Sequence, residues 1–277
     1  MAQLEIGLMA KLKNLAYLRP VWRYRGFILQ TVKREFQSKY SNSLLGAAWN
    51  IINPLAMILV YTVIFSQVMR AKLPGVDSHL AYSVYLCSGI LTWGLFSEIS
   101  GRCVNLFLDN ANLLKKISFP RICLPIIVLI SALVNFAIIF GLFLIVLLLS
   151  GNFPGVSFLG VIPLLIIQIA FSLGLGMLLG VVNVFFRDVG QFFNVAIQFW
   201  FWFTPIVYPF SILPPVLQKL MMLNPMATLV RGYQGIMVNS QWPDWLSLLP
   251  VAVVACLLCA AGLYMFRRHA GDIVDEL

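Results

Sequence analysis

Charge is scarce in this chain: 10% of its 277 residues are Asp, Glu, Lys or Arg, while 61% are hydrophobic. A soluble domain carries about 25% charged residues, so that class is excluded. The cysteines, Cys87, Cys103, Cys123, Cys256 and Cys259, are odd in number and lie in or beside apolar runs, which argues against a disulfide framework. Cys256 and Cys259 form a CxxC, but inside an apolar run small-residue packing explains it better than redox or metal chemistry. His79 and His269 are the only histidines, and the topology below puts them on opposite sides of a membrane, leaving no expected metal site. No GxxxxGK[ST] occurs, so the chain is not expected to cradle ATP itself. Gly174 and Gly176 lack the third glycine and the βαβ setting of a dinucleotide loop. The first 40 residues lack the apolar core of a cleavable signal peptide.

What the chain has instead is long uncharged runs. Residues 40–69, 122–186, 189–218 and 245–266 carry no charge, and a span needs about 20 apolar residues. The second run is too long for one span, and "SGNFPGVS" from Ser150 divides it with Gly and Pro. Six helices follow: 45–69, 80–104, 122–149, 158–184, 190–209 and 246–266, the second interrupted by Glu98 and Arg102. With a cytoplasmic N-terminus, only Arg70, Lys72, Lys219 and Arg231 of the 19 Lys and Arg residues fall outside. That bias sets the orientation with both termini inside, and it accounts for most of the +9 net charge without nucleic acid.

Before the first span, "RYRGFILQTVKREFQSKYSNSLLG" sets Phe27, Ile28, Thr31, Val32 and Phe36 on one helix face. Arg25, Lys33, Arg34 and Lys39 occupy the others. This pattern suits a helix lying in the interface, with its basic face toward anionic headgroups; a soluble helix packed on another subunit is the competing reading. In the first cytoplasmic loop, "DNANLLKKISFPR" can form a short amphipathic helix, either a docking surface for a partner or a mere connector. Gly176 and Gly180 make a GxxxG suited to close helix approach. Between the fifth and sixth spans, about 40 apolar, proline-broken residues read as two short helices dipping back into the outer leaflet. Glu98 and Arg102 stand at i, i+4, the favourable order for an ion pair.

The fifth span holds "QFWFWFTP", Gln198 to Pro205. Around a helix, residues 199–203 point to about 0, 100, 200, 300 and 40 degrees, so no single packing stripe absorbs them. They lie roughly 14–20 Å in from Gly190, too deep for an interfacial belt, whereas Tyr208 and Phe210 fall at belt depth. An indole N–H in hydrocarbon lacks a partner, so Trp200 or Trp202 is expected to face a polar path. Sugars offer C–H faces to stack on a ring and hydroxyls for the N–H. On the first helix, Tyr61 and Phe65 lie one turn apart, in line with Asn53 and Met57.

Together, "VKREFQSKYSNSLLGAAWNIINP", "NANLLKKISFPR", "FFRD", "FTPIVY" and "LNP", in this order around six spans, resemble the permease subunit of ABC-2 type exporters. The similarity is to the polysaccharide group, which exports O-antigen, capsule or teichoic acid chains. It covers essentially the whole chain as one transmembrane domain, 1–277. That domain comprises a cytoplasmic segment 1–43 with its interfacial helix, a six-span region 44–266 and a tail 267–277. The resemblance implies an all-α protein of the bacterial inner membrane, a homodimer with two copies of a separate ABC ATPase that binds the ATP and magnesium. No cofactor is expected in this chain and no catalytic residue. By similarity, Asn110 to Ser118 is a coupling helix for the ATPase, with Asn110, Asn112, Leu113, Lys115 and Lys116 as its contact residues. If the first and fifth helices flank a pathway at the dimer interface, Tyr61, Phe65, Trp200, Phe201, Trp202 and Tyr208 line it; ordinary lipid-facing and core packing claims some of these rings. Arg23, Arg25, Lys33 and Arg34 are placed to attract the headgroup of a lipid-linked polymer.

Two rivals share parts of this pattern. An ABC-2 permease for drugs or lipids has the same architecture, and mid-membrane tryptophans lean toward sugar. A membrane enzyme acting on lipid-linked glycans needs clustered acid–base groups, and the outer face offers only Asp77, His79 and Asp244 beside four scattered cations.

Overall fold

A computed structural model describes residues 22–38, 48–64, 80–116, 119–269 and 271–276, and all regular structure among them is helical. In chain order the helices are α1 (Arg25–Ser38), α2 (Trp49–Val63), α3 (Ala81–Asp109), α4 (Ala111–Lys116), α5 (Cys123–Leu149) and α6 (Val161–Phe185). They continue with α7 (Asp188–Trp202), α8 (Pro215–Met222), α9 (Pro225–Asn239), α10 (Trp245–Arg268) and α11 (Asp272–Glu276). By length and composition, Cys123–Leu149, Gly155–Phe185 and Trp245–Arg268 can each cross a membrane, and Ile51–Val63 is a shorter apolar helix.

The core forms around α3, which packs against α6, α9 and α5. Phe96, Ile99, Cys103, Val104 and Phe107 on α3 are almost fully buried. On its other side α6 packs against α10. Both contacts depend on missing side chains. A Cβ at Gly176 or Gly180 would collide with Ser100 or Cys103 of α3, and one at Gly174 would strike the backbone of α10 at Leu258 and Cys259. The GxxxG is thus a packing device, as its spacing predicts, and Gly174 extends it to a second face. Cys259 belongs to the same contact, its thiol donating to the Ala170 carbonyl at 3.0 Å.

The long uncharged run breaks where Gly and Pro predict. Gly151 takes φ of +72°, which a side chain would resist. It closes α5 with a Schellman motif: Asn152 N–H bonds the Leu147 carbonyl at 3.0 Å and Gly151 N–H the Leu148 carbonyl at 3.2 Å.

Two predicted boundaries move. Helix α3 runs to Asp109, five residues beyond the expected end. Helix α2 is described from Trp49, and its expected start at 45 and its expected end, with Phe65, lie outside the described residues. The expected fifth span, 190–209, is corrected by α7, which stops at Trp202 after 15 residues. Pro205 contributes no amide hydrogen, and beyond Thr204 the carbonyls of Pro205, Val207 and Tyr208 are bound by side chains instead of a helical ladder.

The apolar stretch beyond α7 does form two short helices, but they differ in depth. Most of α8 is exposed. In α9, Leu229, Val230, Tyr233 and Ile236 have no exposure at all and join the core against α3 and α6. This explains the stretch's apolar composition better than a loop skimming the surface.

Candidate functional site

The aromatic run divides into two sets. Phe199, Trp202 and Phe203 are each more than 60% exposed, whereas Trp200 and Phe201 turn into the core. Trp200 sits edge-on to Trp93, Phe96 and Phe171, with centroids 6.2, 5.2 and 6.2 Å away. Phe201 packs edge-on against Trp93 at 5.7 Å. A run that points in every direction therefore supplies an inner wedge and an outer surface from one turn and a half of helix.

The polar partner demanded by a deep indole is supplied from within the fold for Trp200. Its Nε1–H donates to Asn224 Oδ1 at 2.9 Å. Asn224 is the N-cap of α9, its Oδ1 also accepting from Met226 N–H at 3.0 Å, and Pro225 follows at the first helical position. Its Nδ2 donates to the Phe203 carbonyl and to Thr204 Oγ1, both at 3.1 Å. One side chain from "LNP" thus ties the end of α7 to the start of α9.

The "FTPIVY" backbone is clamped from the other side. Tyr85 of α3 shares its one hydroxyl proton between the carbonyls of Pro205 and Tyr208, each at 3.0 Å. Tyr82, one turn earlier, donates to the Val207 carbonyl. Gln234 of α9 donates to the Pro205 carbonyl at 3.2 Å. Thr204, Pro205 and Ile206 are buried by these contacts, so the non-helical backbone has its acceptors satisfied by protein, the condition for such backbone at membrane depth.

Beneath the outer surface lies a cleft of about 510 Å³ between the end of α7 and α8, lined by Trp200, Trp202, Phe203, Tyr208, Leu217 and Met221 among others. Tyr208 closes one side, its hydroxyl donating to the Trp202 carbonyl at 2.7 Å. Of the predicted pathway residues, the structure brings Trp200, Trp202 and Tyr208 together here. Phe201 faces the core, Tyr61 lies half-buried against the core on α2, and Phe65 is outside the described residues.

At the other end of α3, Asn110 caps the helix, its Nδ2 donating to the Leu106 carbonyl at 2.8 Å. The Asn110 carbonyl then accepts the N–H groups of Leu113 and Leu114 and starts α4. Leu114 is buried and Leu113 and Asn110 half-buried, while Asn112, Lys115 and Lys116 are exposed. The short helix is anchored by leucines and shows amide and ammonium groups outward, with Ile117 and Ser118 outside the described residues.

Helix α1 lies beside this end. Ile28 and Val32 pack with Cys123 and Ile127 of α5, and Phe27 meets Phe119 at 5.4 Å. The apolar face is thus covered by the chain's own α5. Arg23, Arg25, Lys33 and Arg34 remain exposed. The expected Glu98–Arg102 pair is secondary, at 3.9 Å. Arg102 instead meets Glu35 of α1 at 2.8 Å. Ser131 donates to the same Glu35 oxygen at 2.6 Å, and Asn135 donates to Glu98 at 2.8 Å. A three-helix polar knot therefore fixes α1 to α3 and α5.

Sequence comparison identifies this arrangement. The profile of the ABC-2 type transporter family matches residues 27–238, from within α1 to the end of α9. The chain belongs to that family.

Similarity among individual proteins runs almost end to end. The O-antigen export system permease protein RfbA of Myxococcus xanthus is 30% identical over 262 residues, 94% of this chain and 98% of that protein. Its namesake in Klebsiella pneumoniae is 27% identical over 257 residues, 92% of this chain and 94% of the relative. Polysialic acid transport protein KpsM of Escherichia coli is 23% identical over 237 residues, 85% and 90% of the two chains. This ABC-2 chain is a helical membrane protein of their kind.

Two residues of the ABC-2 chain's site were not foreseen as such. Asn224 lay within a noted motif, but nothing local connects it to an indole 24 residues earlier. Glu35 is the one acidic residue in a helix otherwise read for its basic face, and that isolation was the available signal.

Proposed function

We propose that this chain is the membrane permease of an ATP-driven exporter that carries a lipid-linked, O-antigen-like polysaccharide from the cytoplasm across the bacterial inner membrane. The observation that carries the proposal is the end-to-end similarity to O-antigen export permeases, with 98% of the Myxococcus protein covered. In this reading one domain, 1–277, crosses the membrane six times with both termini cytoplasmic. It works as a homodimer on two copies of an ABC ATPase, which bind the ATP and magnesium. Asn110, Asn112, Leu113, Lys115 and Lys116 form the ATPase contact, and the exposed Asn112, Lys115 and Lys116 support it. Arg23, Arg25, Lys33 and Arg34 attract the anionic carrier headgroup. Trp202 and Tyr208, with Tyr61 and Phe65 contributed by the first span, face the moving glycan, and Trp200 and Phe201 hold the wall behind them.

The test is ATP hydrolysis by the purified permease with and without its ATPase. The chain alone is expected to hydrolyse none, and the complex to be active and stimulated by lipid-linked polymer. Lys115→Glu with Lys116→Glu is expected to weaken assembly or uncouple hydrolysis from export. Hydrolysis by the chain alone, or a complex indifferent to the charge reversal, would contradict the proposal.

A further inference from the structure

A second cavity, of about 780 Å³, opens between α9, the turn at Phe210–Ile212 and the start of α10. Its volume falls within the roughly 300–1,000 Å³ typical of ligand sites. Tyr85 forms part of its wall, and 25 residues of α3 separate Tyr85 from Asn110, about 37 Å at helical rise. The cavity therefore lies at the opposite end of α3 from α4.

Its chemistry differs from that of the cleft beside Trp202. Arg231 lies over the Phe210 ring, 4.0 Å from its centroid, and makes no hydrogen bond or ion pair among the described residues. A guanidinium carries five N–H donors, so this one is held in place by a ring with its donors available. Gln234 in the same wall is 3% exposed; its Nε2 is engaged by the Pro205 and Tyr85 carbonyls, and its Oε1 has no partner among the described residues. Asp244 supplies an anionic acceptor. The Ser247 hydroxyl holds its carboxyl below the usual carboxylate range, aided by the Leu246 and Ser247 N–H groups and the charge of Arg231. Trp242, half-exposed, offers an indole face at the rim, with Asn239 beside it in the lining.

We propose that this cavity is a second saccharide-binding site, which receives the glycan at the end of the molecule away from α4. It rests on the polysaccharide reading above. Sugar hydroxyls both donate and accept, and so need the mixture found here: donors on Arg231 and Asn239, an acceptor on Asp244, and a ring face on Trp242. A phosphate is opposed by Asp244, and an acyl chain would leave all these groups unpaired. The wall has no enclosing ring of aromatics, so it grips weakly and lets a chain slide onward.

Photo-cross-linking in cells that make their own polymer tests this. p-Benzoylphenylalanine is placed separately at Trp242, Asn239, Trp202 and the exposed α10 residue Leu257, and adducts are scored by glycan stain per assembled permease. A polymer adduct at Trp242 or Asn239, lost when polymer synthesis is blocked and at least several-fold above Leu257, is the expected result. An adduct at Trp202 with none at Trp242 or Asn239 overturns the second site and leaves the export reading intact. Adducts at none of these positions overturn both. Equal adducts at Leu257 and Trp242 also overturn the site, because they mark contact without recognition.

Discussion

Asn224 shows how much one side chain can organise: it caps α9, receives the Trp200 indole N–H and binds the Phe203 carbonyl and Thr204 hydroxyl. Loss of a cap alone costs about 1 kcal/mol, and each further hydrogen bond contributes about 0.5–1.5 kcal/mol. Asn224→Ala is therefore expected to destabilise the protein by about 2.5–5.5 kcal/mol, and Trp200→Phe by about 1 kcal/mol. Thermal unfolding in detergent should rank the two in that order, with equal midpoints contradicting it. Trp202, more than 60% exposed, has no such duty. If its ring is a stacking surface for glycan, aromatic character matters more than volume, on a scale of about 0.5–1.5 kcal/mol borrowed from aromatic pairs. Trp202→Phe is expected to keep export largely intact and Trp202→Leu to slow it several-fold without loss of folding. Surface polymer per assembled permease is the readout, and a leucine variant that exports like the parent removes Trp202 from the pathway.

Among the elements, α6 sets the tolerance of the fold because its glycines let α3 and α10 approach on two sides. Gly180→Ala drives a methyl into the Cys103 carbonyl and is expected to cost about 1–3 kcal/mol by overpacking. Gly141→Ala on α5 meets nothing within 4 Å and is expected to be neutral or stabilising, by up to about 1 kcal/mol of helix propensity. Monodispersity and melting temperature of the two variants check the contrast; similar behaviour would mean that α6 is not closely packed in solution. Several helices were legible because uncharged length and Gly–Pro punctuation are local signals: α5, α6 and α10 lie within a few residues of expectation. The end of α7 was not legible, since its helical appearance ran on to Pro209 while the clamps that unwind it, Tyr82, Tyr85 and Gln234, come from α3 and α9. The same distance hid the true partner of Arg102: Glu98 is one turn away, but Glu35, 67 residues earlier, lies closer in space.

For the whole molecule, the class, the family and the broad layout were readable from charge distribution and motif order, while the division of the aromatic run was not. Five rings in sequence report only that a helix is aromatic all round; which ones face inward depends on Trp93, Phe96 and Phe171, brought in by tertiary packing. The exposed arc of Phe199, Trp202 and Phe203 beside the cleft and the exposed groups of α4 at the far end of α3 are the two surfaces to which the proposed function assigns work. Export of polysaccharide joins them into one account. Its most direct test is to delete this chain alone from its host and quantify the polymer on the cell surface and, separately, lipid-linked inside the cell. The account predicts that surface polymer disappears, that lipid-linked polymer accumulates on the cytoplasmic side, and that re-expression of the chain reverses both; unchanged surface polymer in the deletion strain would contradict it.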